Sequence, residues 1–308
     1  MERGVKTRFS ILKNWKFSFF LVLLLSLSLL FLSACEGPKE GNVALIKVEG
    51  VITGNGDGSF LSSGTLSSQD IVRFIEDAEA DPRIEAIMIE INSPGGSAVA
   101  SDEIATALIK TTKPTVAVIR EVGASGGYWV ASATDHIVAN RMSITGSIGV
   151  ISSYLEFSGL MEKYGVEYQR LVAGERKDLG TPLRSLTQEE EALLQNKLDL
   201  IHDYFIQAVA ENRNMDEEQV RQVSTGEFFL GIEAYQYGLI DDLGDKSVAE
   251  AYLKENCDIE EVEYYVYELE MGLFDLFSSV FSDFSFEMGE GIGSMLVKGS
   301  SGELKIFT

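Results

Sequence analysis

Two kinds of apolar spacing alternate along the chain from residue 43 to about residue 255. Runs that are apolar at nearly every position occur at Val43-Ala44-Leu45-Ile46-Lys47-Val48, from Ile84 to Ile91, and at Pro114-Thr115-Val116-Ala117-Val118-Ile119. Such runs predict strands of a sheet buried on both faces. Between them apolar residues recur every three or four positions: Ile71, Phe74, Ile75 and Ala78 predict a helix capped by Ser67 or Ser68 and ending near Ala80. A second helix is expected from about Ser97 to Lys110. The order repeats with a strand over 136–139, an apolar segment from Ile148 to Ser153, a helix over 158–164 and a strand over 167–172. Leu194, Leu198, Ile201, Phe205 and Ala208 share one face of a helix from Leu186 to about Asn212, and Glu189, Glu190 and Glu191 enrich its first turn. Shorter helices near 216–223 and over 246–255 and a strand over 262–269 close the series. Strands alternating with helices of this length predict an α/β fold with a mainly parallel sheet.

The two ends of the chain follow other patterns. Arg3, Lys6, Arg8, Lys13 and Lys16 lead into an uncharged apolar run from Phe17 to Ala34, and Leu32-Ser33-Ala34-Cys35 follows. A basic lead, an apolar core and small residues at a boundary describe an export signal. The cysteine after Leu-Ser-Ala resembles a bacterial lipobox, which would make Cys35 the lipidated first residue of the mature protein. An uncleaved anchor fits the same run, since about 18 apolar residues is near the length needed to span a bilayer. Either arrangement attaches the protein to the cell membrane and puts the body on its extracytoplasmic face. Residues 36–42 then form a linker, 43–270 the folded domain, and 271–308 a tail. In the tail Leu273, Leu276, Phe277, Val280 and Phe284 lie on one helical face before a stretch rich in glycine from Gly289 to Gly302. Its polar face is acidic, which suits a groove on a neighbouring subunit better than an anionic membrane.

Charge narrows the classes of partner. Beyond residue 35 the chain has 20 Lys and Arg against 47 Asp and Glu, a net charge of −27. Such a body repels nucleic acid. Cys257 is the only cysteine besides Cys35, so neither a disulfide in the domain nor a cysteine-rich metal site is expected. No metal or other cofactor is implied.

The chemistry centres on Val122-Gly123-Ala124-Ser125-Gly126-Gly127-Tyr128, directly after the buried run at 114–119. A strand that delivers a serine into glycines ahead of a helix exposes the serine oxygen and leaves backbone N–H groups free for an oxyanion. Ser125 is the expected nucleophile. A serine hydroxyl needs a base, and three side chains can serve: His136, His202 and Lys177. Gly123-Ala124-Ser125-Gly126-Gly127 matches the nucleophile elbow of α/β-hydrolases, whose Ser-His chemistry would draw on one of the two histidines.

The motifs taken together resemble one family. Asn92-Ser93-Pro94-Gly95-Gly96, Gly123-Ala124-Ser125-Gly126-Gly127-Tyr128, Thr145-Gly146-Ser147-Ile148-Gly149-Val150, Lys177-Asp178 and Ala234 through Gly238-Leu239-Ile240-Asp241 occur in the order and spacing of the signal peptide peptidase A family, in its short, single-repeat form. Its members are membrane-associated Ser-Lys proteases with a Clp-protease/crotonase-like fold, built from repeated β-β-α units. The resemblance implies Ser125 as nucleophile, Lys177 as general base and Ser147 as the hydroxyl that orients it. A carboxylate facing Lys177 would hold its proton, so Asp178 is expected to point away. Gly96 and Gly126, with Gly95 a third candidate, are expected as oxyanion donors. The implied activity is cleavage of remnant signal peptides and other extended apolar peptides, without ATP, by a homo-oligomeric ring. Two rivals share the fold: a non-catalytic envelope scaffold and a crotonase-type enzyme acting on acyl-CoA.

Overall fold

The computed structural model describes residues 41–54 and 67–268. The expectations for Cys35, for the segment 1–35 and for the tail 271–308 fall outside them. Among the described residues no helix is long and apolar enough to cross a membrane.

The apolar runs form the middle of one sheet. Strands β1 (Val43–Ile52), β2 (Ala86–Gly96) and β3 (Thr115–Ala124) pair in parallel, and β8 (Tyr264–Tyr267) extends the sheet beside β1. Helices α1 (Ser68–Ala80) and α2 (Ala98–Lys110) are the crossovers between the first three strands. Their caps are those the sequence offers: Ser67 Oγ accepts from the Asp70 N–H, and Ser97 Oγ from the Ala100 N–H.

Strand β3 changes partners along its length. Its first half pairs with β4 (His136–Ala139), and its second half with the short β5 (Ile144–Gly146). Ser143 fastens this fork by donating to the Ile119 carbonyl at 3.2 Å and contacting the Arg120 carbonyl. Strand β6 (Phe228–Leu230) runs antiparallel to β5, and β7 (Asp242–Leu243) pairs with β4. The sheet is therefore mixed but mostly parallel, and the architecture is the α/β class expected, consistent with the Clp-protease/crotonase-like fold.

One face of the sheet is covered by α1, α2, α3 (Gly126–Ser132) and α5 (Gln188–Asn212), the other by α8 (Lys246–Asn256). A capping box closes the start of α5, with Thr187 and Glu190 bonding each other's backbone N–H. Apart from Glu190 in the first turn, the buried residues of α5 lie in its second half, at Phe205, Ile206, Val209 and Ala210. Phe205 stacks on Trp129 of α3 with ring centroids 4.6 Å apart. The small elements α6 (Glu217–Gln222) and α7 (Gly231–Gln236) finish this side.

Between β5 and α5 the chain leaves the sheet. Residues 151–187 carry the short helix α4 (Ser158–Lys163) but no strand, so the strand expected over 167–172 is absent. Leu171 of that segment lies on the outside, 95% exposed, as do Ile151 and Leu155 of the same extension, 86% and 73% exposed. Their pattern does not serve this chain's own core. The apolar segment Ile148 to Ser153 likewise forms no strand; the strand lies just before it, at β5.

Phe205→Ala is expected to cost about 3–5 kcal/mol, since it removes a buried ring and the stack that holds α5 on α3. Urea denaturation of the two proteins measures this.

Candidate active site

The carboxyl ends of the parallel strands converge on Ser125, where ligands bind in open α/β sheets. Ser125 joins β3 to α3 with φ 52° and ψ −123°, a backbone region that L-residues enter only when their surroundings force it. Its N–H donates to the Gly146 carbonyl at 2.8 Å, and its carbonyl accepts from the Tyr128 and Trp129 N–H groups at 2.9 Å. The main chain is thus held at both ends while the half-buried hydroxyl caps nothing and has no hydrogen-bond partner among the described residues.

Glycines let a second loop lie against this turn. A Cβ on Gly95, whose φ is +96°, would fall 2.6 Å from the Gly126 nitrogen, and one on Gly126 would fall 2.2 Å from Ser101 Oγ and 3.3 Å from the Gly96 nitrogen. The amides of Gly96 and Gly126 therefore sit close together beside Ser125. Gly126 opens α3, so its N–H lacks a partner within the helix. Gly96 is bridged to Ile52 in the parallel ladder while Ser97 donates to the Ile52 carbonyl at 2.9 Å, an arrangement that turns the Gly96 N–H away from β1. Gly95 differs: its N–H donates to Ser93 Oγ at 3.1 Å. Buried Ser93 also donates to the Gly50 carbonyl at 2.6 Å, a clamp that the Ser-Pro-Gly-Gly motif did not reveal as such.

Ser147 is brought beside Ser125 by register. Ala124 pairs with Gly146, so the next residues of the two strands are Ser125 and Ser147. Ser147 also has a positive φ, 51°. Its N–H donates to the Glu227 carbonyl at 3.0 Å and its hydroxyl to the Gly226 carbonyl at 3.1 Å. With its proton committed there, the oxygen can only accept from a further partner.

The two histidines are engaged elsewhere. His136 pairs with Val116, nine residues before Ser125, so it lies about 30 Å along the strand from that serine. Its ring stacks on Tyr252 at 3.8 Å, and Nε2 is 3.0 Å from Asp242. His202 is nearer the site, but its Nε2 is bonded to the Ile148 carbonyl at 3.2 Å. Neither touches Ser125.

Lys177 forms no hydrogen bond to Ser125 among the described residues. It is exposed on the 151–187 extension, and its amine forms no hydrogen bond or ion pair among the described residues. Asp178 does point away from it, toward Arg170 at 2.7 Å and Arg184 at 3.0 Å. Among the described residues no group of three or more His, Cys, Asp or Glu side chains could share a metal ion.

Known proteins carry the same framework. The model of the family described as peptidase family S49 matches residues 107–260. A Methanocaldococcus jannaschii protein named as a "putative protease" is 32% identical over 245 residues, which cover 78% of this chain and 77% of that protein. The Enterococcus faecium "putative signal peptide peptidase SppA" is 33% identical over 68% of this chain and 62% of its own length. The chloroplastic serine protease SPPA of Arabidopsis thaliana is 31% identical over 70% of this chain, yet only 32% of that longer protein is spanned. With half of the chain matched by the family model and relatives of this closeness, the chain belongs to peptidase family S49 and is a protease of the SppA group.

Proposed function

We propose that the protein is a membrane-tethered serine endopeptidase that degrades cleaved signal peptides and other short, extended apolar peptides outside the cytoplasm, using Ser125 as nucleophile and Lys177 as general base. The observation that carries this reading is the Ser125 turn: an unengaged hydroxyl on a forced backbone, beside two glycine amides and in register with Ser147. The printed names of the Arabidopsis and Enterococcus relatives support the serine type and the peptide substrate.

In this mechanism Ser125 Oγ attacks the scissile carbonyl and its proton passes to the neutral Lys177 amine. The Gly96 and Gly126 N–H groups hold the oxyanion. The lysine returns the proton to the leaving amine, and an acyl-enzyme remains. The lysine then takes a proton from water as the water oxygen bonds to the acyl carbon, and returns it to Ser125 Oγ as the ester bond breaks and the acid leaves. Ser147, its own proton given to the Gly226 carbonyl, accepts an N–H of Lys177 and so aims the amine lone pair at Ser125.

The exposed position of Lys177 supports a base supplied across a subunit boundary. We assign the apolar outer surface of residues 151–187 to contact with a second copy, which carries Lys177 to the neighbour's Ser125 and closes into a ring.

Ser125→Ala and Lys177→Ala should each lower kcat/KM on a synthetic signal peptide by roughly 10³-fold or more, while His136→Ala and His202→Ala stay near wild type. Activity in the lysine variant would remove the dyad. Because an amine must lose its proton before it can accept one, kcat/KM should climb through the alkaline range rather than level off near neutrality, as a histidine base would give. Mixing the two inactive variants in equal amounts and allowing subunits to exchange should restore about a quarter of the sites if the dyad spans two chains, and none if it forms within one.

A further inference from the structure

The extension that bears Lys177 has few apolar contacts to hold it, but a chain of ion pairs runs through it. Arg170 grips Asp178 with two bonds, from Nε at 2.7 Å and from a terminal nitrogen at 2.8 Å. Arg184 grips the same carboxylate from its other side at 3.0 and 3.2 Å. Arg184 also makes two bonds of 2.7 Å to Glu190, and Glu190 accepts from the Thr187 N–H at 3.0 Å as the capping residue of α5. Forked pairs of this kind fix orientation as well as distance. The carboxylate side chains are largely enclosed, Asp178 being 9% exposed and Glu190 10%.

The charges balance, two guanidinium groups against two carboxylates, and every one of them is used within the chain. Arg170 also donates to the Glu175 carbonyl at 2.7 Å, three residues before Asp178, so the turn containing Lys177 is tied down on both sides of the lysine. The neighbouring Arg176 is paired with Glu189 on α5. The Asp178 carboxyl is held far below the ordinary range by the bonds from Arg170 and then Arg184, and Glu190 is held down to about 2, chiefly by Arg184. Both carboxylates therefore stay charged, and paired, at any pH at which a peptidase would work.

We infer that the Arg170–Asp178–Arg184–Glu190 chain is the positioning device for the general base: it fastens the Lys177 turn to the start of α5 and keeps both carboxylates off the lysine amine. The inference rests on Lys177 being the base. It gives Asp178 and Arg184 a role that neither could have alone. An unpaired carboxylate next to Lys177 would hold the proton that the amine has to give up, whereas a carboxylate enclosed by two arginines does not. The other charged groups beside the lysine are Arg176, paired with Glu189, and Glu175, whose carbonyl rather than carboxylate is engaged by Arg170.

The test compares pH profiles of kcat/KM for the full-length assembled protein, wild type and variants, on one synthetic signal peptide. Asp178→Asn leaves two guanidinium groups without their shared anion, and Arg184→Gln leaves two carboxylates short of a cation. The first should move the alkaline limb to lower pH and the second to higher pH, each by about half a unit. Each should also lower the plateau by about an order of magnitude as the lysine loses its placement. A smaller folded fraction would lower the plateau but leave the limb where it is. Lys177→Ala is run in parallel: if it keeps activity, the dyad fails and this inference with it. If Lys177→Ala is inactive while the two limbs stay at the wild-type position or move the same way, the positioning chain is wrong and the dyad stands.

Discussion

The forced backbone at Ser125 is the constraint on which the site depends. Holding one L-residue in that region costs about 1–3 kcal/mol, and the fold around it removes every alternative. The Gly146 carbonyl fixes the amide before the turn, and the first N–H groups of α3 fix the carbonyl after it. Helix α3 is itself locked from behind, since Tyr128 is fully buried and donates to the Leu239 carbonyl at 2.7 Å while Trp129 lies flat against Phe205. The glycines at 95, 96, 126 and 127 follow from the same constraint. A side chain on any of them would lie less than 3 Å from a neighbouring atom, and the closest is 2.1 Å, from position 96 to the Ile52 carbonyl oxygen. Packing pushes the serine up and clears the space above it, and both effects come from elements far apart in the chain.

What the sequence made legible follows from whether a signal is local. The buried strands announced themselves because a run such as Val116 to Ile119 has no solvated face, and the cap at Ser67 is readable from a few neighbours. Ser125 stood out because strand, serine and glycines are consecutive. The three-residue strand at Phe228–Leu230 has too few positions for any period, and it is recognisable only through its antiparallel pairing with β5. The expected strand at 167–172 failed for a different reason. Alternation near Leu171 records an apolar surface, but spacing alone does not say whether that surface faces the chain's own core.

The site divides along the same line. Register explains why Ser147 stands beside Ser125, something that spacing in sequence did not contain and the family resemblance supplied. The clamp of Ser93 between Gly50 and Gly95 was hidden because a serine ahead of proline reads as a turn former. It also engages the Gly95 amide, which leaves Gly96 and Gly126 as the donors proposed for the oxyanion. The arginines at 170 and 184 carried no signal, being eight and six residues from Asp178 in a segment without periodicity.

The two halves of the proposed dyad are held by different kinds of force. Ser125 belongs to a packed core whose neighbours are apolar and enclosed, so its geometry is set once the domain folds. Lys177 belongs to an extension whose apolar residues are outward and whose internal order rests on ion pairs. Exposed apolar surface of this kind is stabilised when it is covered, and the ion pairs lose less to solvent screening in the same event. On the reading in which a second copy provides the cover, assembly both completes the site and stiffens its weaker half. A lone chain would then hold a nucleophile without a base, and peptide hydrolysis would depend on association rather than on any change in the core.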